Sequence, residues 1–250
     1  MFDLNKQQVA VGVRLPNDGG LRAHVWTNGQ GQDLPTLDSA GTSRNDWADE
    51  INDHGQIVGY SLDSSATARA VTWVNGAITD LTPGPDTFTA GAFGINNTGV
   101  ITGSWNAIAV EWANGTMHQL GVPRPPDIPA DATTFSDGRS INEDGDIAGY
   151  VAWFNQSIAG HIAFLWSGGS TTFLNPASSD CVAYGINIHQ EIVGECNGSI
   201  STPFYWHNGV MSDPGLLPGG YGGSAQAIND KGTFVGWSIG PSGIQAVQWR

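Results

Sequence analysis

Short apolar stretches alternate with polar turns along the whole chain, and one pattern of apolar and polar positions recurs at a nearly constant interval. Its fullest form is Ala-x-x-Ile-Asn-x-x-Gly-x-Ile-Val-Gly, in which two apolar runs flank a polar turn. The Asn of this phrase stands at positions 5, 52, 96, 142, 187 and 229, so the interval lies between 42 and 47 residues. An interval in the forties with strand-like filling is typical of propellers and arrays.

A second marker keeps the same count and the same order. Each copy carries a Trp behind a short apolar run, and these residues are Trp26, Trp73, Trp112, Trp166, Trp206 and Trp249. Two independent markers that agree are hard to obtain by chance. The chain therefore consists of six repeats, which begin near residues 1, 47, 91, 137, 182 and 224.

The second copy predicts four strands, at 47–51, 57–61, 68–73 and 77–81. Asn-Gly between the last two apolar runs is a strong hairpin signal. A four-stranded meander cannot bury both faces alone, so the copies must pack on one another, and six of them protect their edges by radial closure. We predict an all-β fold, a six-bladed β-propeller of four-stranded antiparallel blades that forms one domain over 1–250. The sequence stops at Arg250, so the last blade is predicted to be incomplete, with three strands; an open solenoid is the alternative.

The repeated phrase, followed by an apolar run into Trp-x-Asn-Gly, resembles the bacterial extracellular HAF-type repeat proteins. The resemblance covers nearly the whole chain and implies a propeller-like, often secreted protein. It supplies no catalytic motif that could be transferred to residues of this chain. Two copies depart from the pattern, because Gln8 and Gln190 replace the turn Gly. A non-Gly residue in a left-handed conformation costs on the order of 1 kcal/mol, so we expect these two turns to have a different shape.

The charge of the chain narrows the range of partners. Asp and Glu number 23 against 9 Lys plus Arg, which gives a formal charge of -14. Nucleic acid and anionic membrane surfaces both need a basic footprint, so neither is expected as a partner. No apolar run approaches the roughly 18 residues of a membrane helix, so membrane insertion is not expected either.

The first residues lack a signal peptide, which fits either a cytoplasmic protein or a mature or trimmed chain. Little Lys and much Gly, Trp and Asp favour an extracellular protein.

The two cysteines are predicted to be cross-strand neighbours in the fifth copy. If the turn occupies residues 187–190, Ile186 faces Glu191 and the paired positions sum to 377, which is also the sum of 181 and 196. Cys181 and Cys196 would then be directly opposite, a geometry in which a disulfide can form. A reduced pair is the alternative.

The connections between blades predict which end of the fold is functional. The turns inside the two repeated phrases are short and lie at one end of each blade, whereas the connections at the other end are long and unlike one another. Variable loops on a constant scaffold are where binding and catalytic groups usually sit. Four Trp outside the repeat fall at or beside this long-loop end: Trp47, Trp105, Trp153 and Trp237. Their rings can stack on sugars or other flat apolar ligands, or they fill gaps between blades.

One position of the repeat, two residues before the repeated Ile, changes its chemistry from copy to copy. It is occupied by Phe2, Asp49, Phe93, Arg139, Tyr184 and Gln226. If the first strand of each blade is innermost, these side chains surround a central channel. Such variation on a repeat that otherwise keeps its residue types indicates selection for a ligand, and polar bonding in a wet channel is the alternative.

Candidate catalytic groups are few. Asp49, Glu50, Arg139, Tyr184 and His161 are the titratable or anchoring residues at this end, although adjacent strand residues such as Asp49 and Glu50 are expected to face opposite sides. The six His show no metal-ligand spacing, and the acidic segment 142–146 occupies the ordinary repeat turn and lacks the terminal Glu of a calcium loop. We therefore expect no metal site and no cofactor.

The favoured interpretation is a ligand-binding propeller that recognises a glycan or a small aromatic-friendly molecule through the extra Trp and the variable position. The alternative is an enzyme, a hydrolase, lyase or cyclase, with its pocket at the channel mouth on the same face. A third hypothesis is an interaction scaffold that uses the open edge around 246–249. A monomer or a weak dimer is expected.

Overall fold

Six antiparallel sheets follow one another along the chain in the computed structural model, which describes residues 2–17, 19–38, 45–82, 88–176 and 178–250. Each sheet is a meander in which consecutive strands pair, and we call the sheets blades 1 to 6. The chain divides into two compact units, Met1–Gln119 and Leu120–Arg250, with three blades each.

The first unit contains three four-stranded blades. Blade 1 consists of β1 (Asp3–Leu4), β2 (Ala10–Arg14), β3 (Arg22–Thr27) and β4 (Gln30–Asp33). Blade 2 consists of β5 (Trp47–Ile51), β6 (Ile57–Leu62), β7 (Ala68–Val74) and β8 (Ala77–Asp80). Blade 3 consists of β9 (Ala90–Ile95), β10 (Ile101–Trp105), β11 (Ile108–Ala113) and β12 (Thr116–Gln119). The four strands predicted for the second copy are confirmed, each bound to within one residue.

The second unit contains two blades of four strands and one of three. Blade 4 consists of β13 (Thr133–Ile141), β14 (Ile147–Phe154), β15 (Ala159–Ser167) and β16 (Ser170–Phe173). Blade 5 consists of β17 (Asp180–Ile186), β18 (Ile192–Asn197), β19 (Ser201–His207) and β20 (Val210–Ser212). Blade 6 consists of β21 (Gly222–Ile228), β22 (Phe234–Gly240) and β23 (Gly243–Trp249). The prediction of an incomplete last blade with three strands is confirmed.

Neighbouring blades within a unit bury their apolar faces against each other. Between blades 1 and 2, Val11 and Ala23 pack with Ile51, Val71 and Trp73. The two apolar residues of the repeated Ile-Val pair serve opposite faces, since Ile57 belongs to this cluster while Val58 belongs to the next one, with blade 3. In the second copy this pair thus supplies one core residue to each of two blade interfaces.

The repeated Asn fixes both the turn and the neighbouring blade. The Oδ1 atom of Asn52 accepts hydrogen bonds from the backbone N–H groups of His54 and Gln56, and its Nδ2 donates to the carbonyl of Asn96 in blade 3 at 3.2 Å. Asn5, Asn142 and Asn187 make the corresponding bond to the next Asn within their units, at 3.0 to 3.1 Å. Only a short side chain with both an acceptor and a donor can do this, which explains why Asn recurs.

The repeated Trp links consecutive segments in a similar way. Trp73, Trp112, Trp166 and Trp249 each donate the indole N–H to a backbone carbonyl in the segment before their own blade, at 2.8 to 3.0 Å. Trp73, Trp112 and Trp206 are buried, while Trp26, Trp166 and Trp249 are half-buried. The indole therefore combines apolar burial with one directed hydrogen bond.

The two turns without Gly keep the shape of the others, so the prediction of a different shape is wrong. Gln8 and Gln190 adopt left-handed conformations, with φ of 61° and 57°, as Gly55 does with φ of 77°. Each donates its backbone N–H to the carbonyl of the repeated Asn three residues earlier, as Gly55 also does. The Asn side chain holds the turn strongly enough for Gln to accept the left-handed backbone.

This strain gives a first prediction. Gln8 is exposed, so Gln8→Gly removes the free-energy cost of the left-handed backbone, which is on the order of 1 kcal/mol. The substitution also increases the conformational entropy of the unfolded chain, which lowers stability by a smaller amount. We expect the free energy of unfolding to rise by about 0.5 kcal/mol, measured by urea titration. Gln7→Gly is the control, because its φ is not positive, and it should lower that free energy. A loss of stability in Gln8→Gly as large as in the control would contradict the explanation.

The predicted disulfide is confirmed, although its register has another origin. Cys181 pairs with Cys196 across β17 and β18, and their sulfur atoms are bonded. Ile186 faces Ile192 rather than Glu191, and an irregularity at Tyr184 shifts the register by one residue before the cysteines are reached.

Among the described residues, no helix is long and apolar enough to span a membrane.

Candidate functional site

The variable position of the repeat is a β-bulge. The register of the first two strands shifts by one residue in each of blades 2 to 6, and the extra residues are Asp49, Phe93, Arg139, Tyr184 and Gln226. A bulge leaves one residue outside the regular pairing and re-aims its side chain, which is why bulges often lie beside active sites. The variable residue of each copy therefore lies outside the regular strand pairing that the other residues of the repeat maintain.

The constant Gly of the repeat is required by this bulge. A Cβ atom on Gly59 would lie 1.9 Å from the carbonyl oxygen of Trp47, and one on Gly103 would lie 2.0 Å from that of Gly91. Gly149, Gly194 and Gly236 have the same relation to the strand opposite them, each at 2.0 Å. The bulge brings two backbones so close together that no side chain fits between them.

A second variable position follows this Gly directly, and the sequence reasoning missed it. It holds Tyr60, Ser104, Tyr150, Glu195 and Trp237 in blades 2 to 6. In blade 5 the phenol of the bulged Tyr184 donates a hydrogen bond to Glu195 at 3.0 Å. In blade 2, Tyr60 lies near the bulged Asp49: burial, followed by the charges of Asp49 and Asp46, raises the pKa of Tyr60 to about 12. The variation of this position along the repeat is the signal that could have found it.

In the first unit these positions produce an aromatic surface. The rings of Phe2 and Trp47 stack with centroids 5.2 Å apart, and Trp47 stacks on Tyr60 at 6.0 Å. All three rings are partly or fully exposed. The predicted Trp47 therefore supports Tyr60 from one side, in a row of three rings.

A groove of about 190 Å³ lies beside this row, at the long-loop end of blades 2 and 3. Its walls are formed by Tyr60, Ala68, Thr89, Ala90, Gly91, Phe93 and Ser104. Gly91 makes room for the Phe93 ring, since a Cβ there would lie 2.7 Å from it. The groove thus joins two aromatic side chains, small residues and hydroxyl groups.

Trp105 and Phe88 continue the aromatic surface next to the groove. Their rings meet edge to face, with centroids 5.6 Å apart, and Trp105 pairs with Ala90 of the groove wall. Trp105 is half-buried and packs against the apolar cluster of blades 2 and 3. It therefore supports the groove wall.

Glu50 has a structural role and does not form a catalytic pair with Asp49. Its carboxylate accepts a hydrogen bond from the backbone N–H of Ile95 in blade 3 at 2.7 Å. Asp3 makes the same bond to Ile51 in blade 2 at 2.9 Å, and burial raises the pKa of Asp3. These carboxylates connect neighbouring blades.

In the second unit, the structure brings together three of the predicted catalytic residues: Arg139, Tyr184 and His161. His161 Nδ1 lies 2.7 Å from the Asp180 carboxylate, and its ring meets the edge of Tyr150 with centroids 5.3 Å apart. The positive charge of Arg139 acts on both phenols, those of Tyr150 and Tyr184. The sequence did not single out Tyr150, Asp180, Glu195 or Asp137, which complete this polar cluster.

The electrostatics of the polar cluster favour hydrogen bonding over proton abstraction. Burial, then the neighbouring carboxylate, raises the pKa of Tyr150 beside Asp137 and of Tyr184 beside Glu195, well above the ordinary value. A general base works best with a pKa near the operating pH, so these phenols are poor bases at neutral pH. Three carboxylates against one guanidinium also disfavour an anionic ligand. Within the described residues, no group of three or more His, Cys, Asp or Glu side chains could hold a metal ion.

The remaining predicted binding residues differ in accessibility. Trp153 is 5 % exposed and packs with Ile128, Ala132 and Ile162, so its ring is not available to a ligand from solvent. Trp237 is half-buried, and Gln226 is exposed and donates to the Ser224 hydroxyl at 2.6 Å. For Trp153 the alternative prediction therefore applies: this extra Trp fills a gap in the packing.

Comparison with solved structures identifies the architecture. The chain resembles the β-propeller domain of the trilobed protease from Pyrococcus furiosus, with a TM-score of 0.57 and 8% identity over 95% of this chain and 80% of that one. The chain is a six-bladed β-propeller. It also resembles a puromycin-hydrolysing peptidase from Mycobacterium tuberculosis, with a TM-score of 0.50 and 13% identity over 96% of this chain and 42% of that one.

A mutant of the Aleuria aurantia lectin in complex with α-methyl-L-fucoside matches this propeller with a TM-score of 0.47 and 9% identity, over 99% of this chain and 89% of that one. Comparison with protein-family models and with curated protein sequences gives no match. At these identities the solved structures establish the fold alone, so the function of this propeller must be argued from its own residues.

Proposed function

We propose that this propeller is a carbohydrate-binding protein whose ligand, a neutral glycan, lies in the groove of blades 2 and 3. The observation that carries the proposal is the groove itself, with Tyr60 and Phe93 in its walls and the Phe2–Trp47–Tyr60 row beside it. The apolar face of a sugar ring packs on an aromatic ring, and rings stacked in a row lose little freedom when a ligand binds.

The other groove residues fit the polar edge of a sugar. Thr89, Ser104 and Tyr60 carry hydroxyl groups that can donate to and accept from sugar hydroxyls. Because the pKa of Tyr60 is raised to about 12, its phenol stays protonated and neutral across the physiological range. The net charge of -14 disfavours acidic polysaccharides, so a neutral glycan is the proposed class.

Binding to a neutral-glycan array tests the proposal, with Phe93→Ala as the main variant. We expect the wild-type protein to bind at least one neutral oligosaccharide, and Phe93→Ala to weaken that binding by about tenfold or more, which corresponds to about 1.4 kcal/mol. Phe154→Ala is the matched control, because Phe154 is also an exposed aromatic residue but lies on blade 4. An array without binding, or equal binding by Phe93→Ala and wild type, would overturn the proposal.

A second candidate, an enzyme of the hydrolase, lyase or cyclase class, is favoured by the polar cluster of blades 4 and 5. His161 is oriented by Asp180 at 2.7 Å and touches Tyr150, so it can accept a proton from a ligand while the carboxylate stabilises the resulting imidazolium. Turnover of a glycan that is lost in His161→Ala, with binding retained, would establish this function. Binding without turnover would leave recognition as the only activity.

We also propose an extracellular location, consistent with the resemblance to HAF-type repeat proteins. The Cys181–Cys196 disulfide supports it, because such bonds persist in oxidising compartments. Recovery of the protein from the culture medium of its native cells, with the disulfide intact, would test this.

A further inference from the structure

A second cavity, of about 300 Å³, lies on blade 4, remote in sequence from the proposed glycan groove. It opens between the long connection that precedes β13 and the end of the β15–β16 pair. Its lining is Pro125, Pro126, Asp127, Ile162, Phe173, Leu174, Asn175 and Pro176. This volume is at the lower end of the range for small-molecule pockets.

The connection that forms one wall is held in place by its own contacts. Arg124 donates to the carbonyl of Ala132 at 2.9 Å and also to that of Pro129. Ile128 and Ala132 are buried in one apolar cluster with Ile162 and Trp153. The wall is therefore preformed, and a ligand need not order it on binding.

The opposite wall is equally fixed. Asn175 uses its side chain structurally: Oδ1 accepts from the N–H of Ala163 at 2.8 Å, and Nδ2 donates to the carbonyl of Ser179 at 2.7 Å. Its polar atoms are thus already used by the protein. The exposed surface of the cavity is mixed: Pro126, Pro176 and Phe173 contribute its accessible apolar part, whereas Ile162 and Leu174 are buried and polar atoms contribute the rest. These three side chains are the surface on which a flat ring can pack.

The charge at the cavity selects among ring-bearing ligands. Asp127 is the one charged side chain in the lining; it is exposed, and its carboxylate accepts no hydrogen bond from the described residues. The neighbouring Arg124 has its guanidinium directed at backbone carbonyls. A cationic group on the ligand would therefore find a carboxylate at the cavity.

We propose that this cavity binds an arylalkylamine, with the aromatic ring between the prolines and Phe173 and the ammonium group at Asp127. An aromatic carboxylate would place like charges together, so we expect it to bind more weakly. The site is independent of the glycan groove, since it shares no residue with it.

Titration calorimetry with tryptamine, and with indole-3-acetate as its anionic counterpart, tests the proposal. We expect saturable one-to-one binding of tryptamine and at least about tenfold weaker binding of indole-3-acetate. Asp127→Asn should weaken tryptamine binding by about threefold, as an exposed ion pair allows, without affecting folding. Phe173→Leu, which keeps an apolar side chain in the wall, should weaken it by about tenfold, and the unchanged thermal unfolding of both variants would show that they are folded.

Phe93→Ala distinguishes this site from the glycan groove, because it should leave tryptamine binding unchanged. No saturable binding of tryptamine by the wild-type protein would overturn the proposal. Equal binding of tryptamine by wild type, Asp127→Asn and Phe173→Leu would also overturn it, since the ligand would then bind elsewhere. Neither result would affect the proposal of glycan binding.

Discussion

Gly59→Ala is expected to lower the free energy of unfolding by about 3 kcal/mol or more and to abolish binding at the aromatic groove. The added Cβ would lie 1.9 Å from the carbonyl oxygen of Trp47 and 3.2 Å from Cα of Ala48. Both are backbone atoms, so no flexible side chain can move away and the bulge itself must shift. Trp47 would move with it, and Tyr60 would lose its stacking partner.

Gly240→Ala is the matched control for this substitution. Gly240 also lies in the second strand of a blade, as its last residue, but a Cβ added there would meet nothing within 4 Å, and its φ is not positive. We expect its unfolding free energy to stay within about 0.5 kcal/mol of the wild-type value, as for substitutions that create no clash. Similar urea midpoints for Gly59→Ala and Gly240→Ala would contradict this explanation, because they would show that the close backbone approach at the bulge is not the reason why Gly is required there.

Asn52→Asp should be as damaging, through the contact between blades 2 and 3. The carboxylate would keep the bonds from the N–H groups of His54 and Gln56, but the donor to the Asn96 carbonyl would be lost. A buried, negatively charged oxygen would then face a carbonyl oxygen. We expect a loss of about 3 kcal/mol at neutral pH, measured by urea unfolding.

The pH dependence identifies this cause. Burial and the facing carbonyl should raise the folded-state pKa of the new carboxyl above its unfolded value, so the folded state binds the proton more tightly. The stability difference from wild type should therefore be large above the folded pKa and shrink as the pH falls through it. Asn229→Asp is the control, because Asn229 is exposed and, within the part of the chain that the structure describes, its side chain accepts only the two local bonds from the N–H groups of Lys231 and Thr233. A pH-independent loss in Asn52→Asp, or an equal loss in the control, would contradict the role of the Asn donor.

The fold could be predicted from the sequence because each blade repeats the same local signals. The Asn-containing turn, the Asn-Gly hairpin and the apolar runs fix the strands of the second copy to within one residue. The bulge could not be predicted, since an extra residue in one strand leaves no mark in a hydrophobic pattern. The cysteine pair shows the consequence: the pairing was right, but the bulge at Tyr184 corrects a register that was wrong by one residue at Ile186.

The site was predicted only in part, for the same reason. The bulged positions were recognised by their variation, and the structure brings Arg139, Tyr184 and His161 into one cluster. Their partners Tyr150 and Glu195 were missed, although the residue after the constant Gly also varies from copy to copy. Trp153 shows the limit of residue type as a signal, since the connection before β13 covers it and nothing in its own strand foretells this.

A crystal structure of the protein with a neutral oligosaccharide from the array tests the central claim most directly. We predict a sugar ring packed on Phe93 or Tyr60, with its hydroxyl groups at Ser104 or Thr89. A sugar bound at the polar cluster of blades 4 and 5, with the groove of blades 2 and 3 free of ligand, would contradict it.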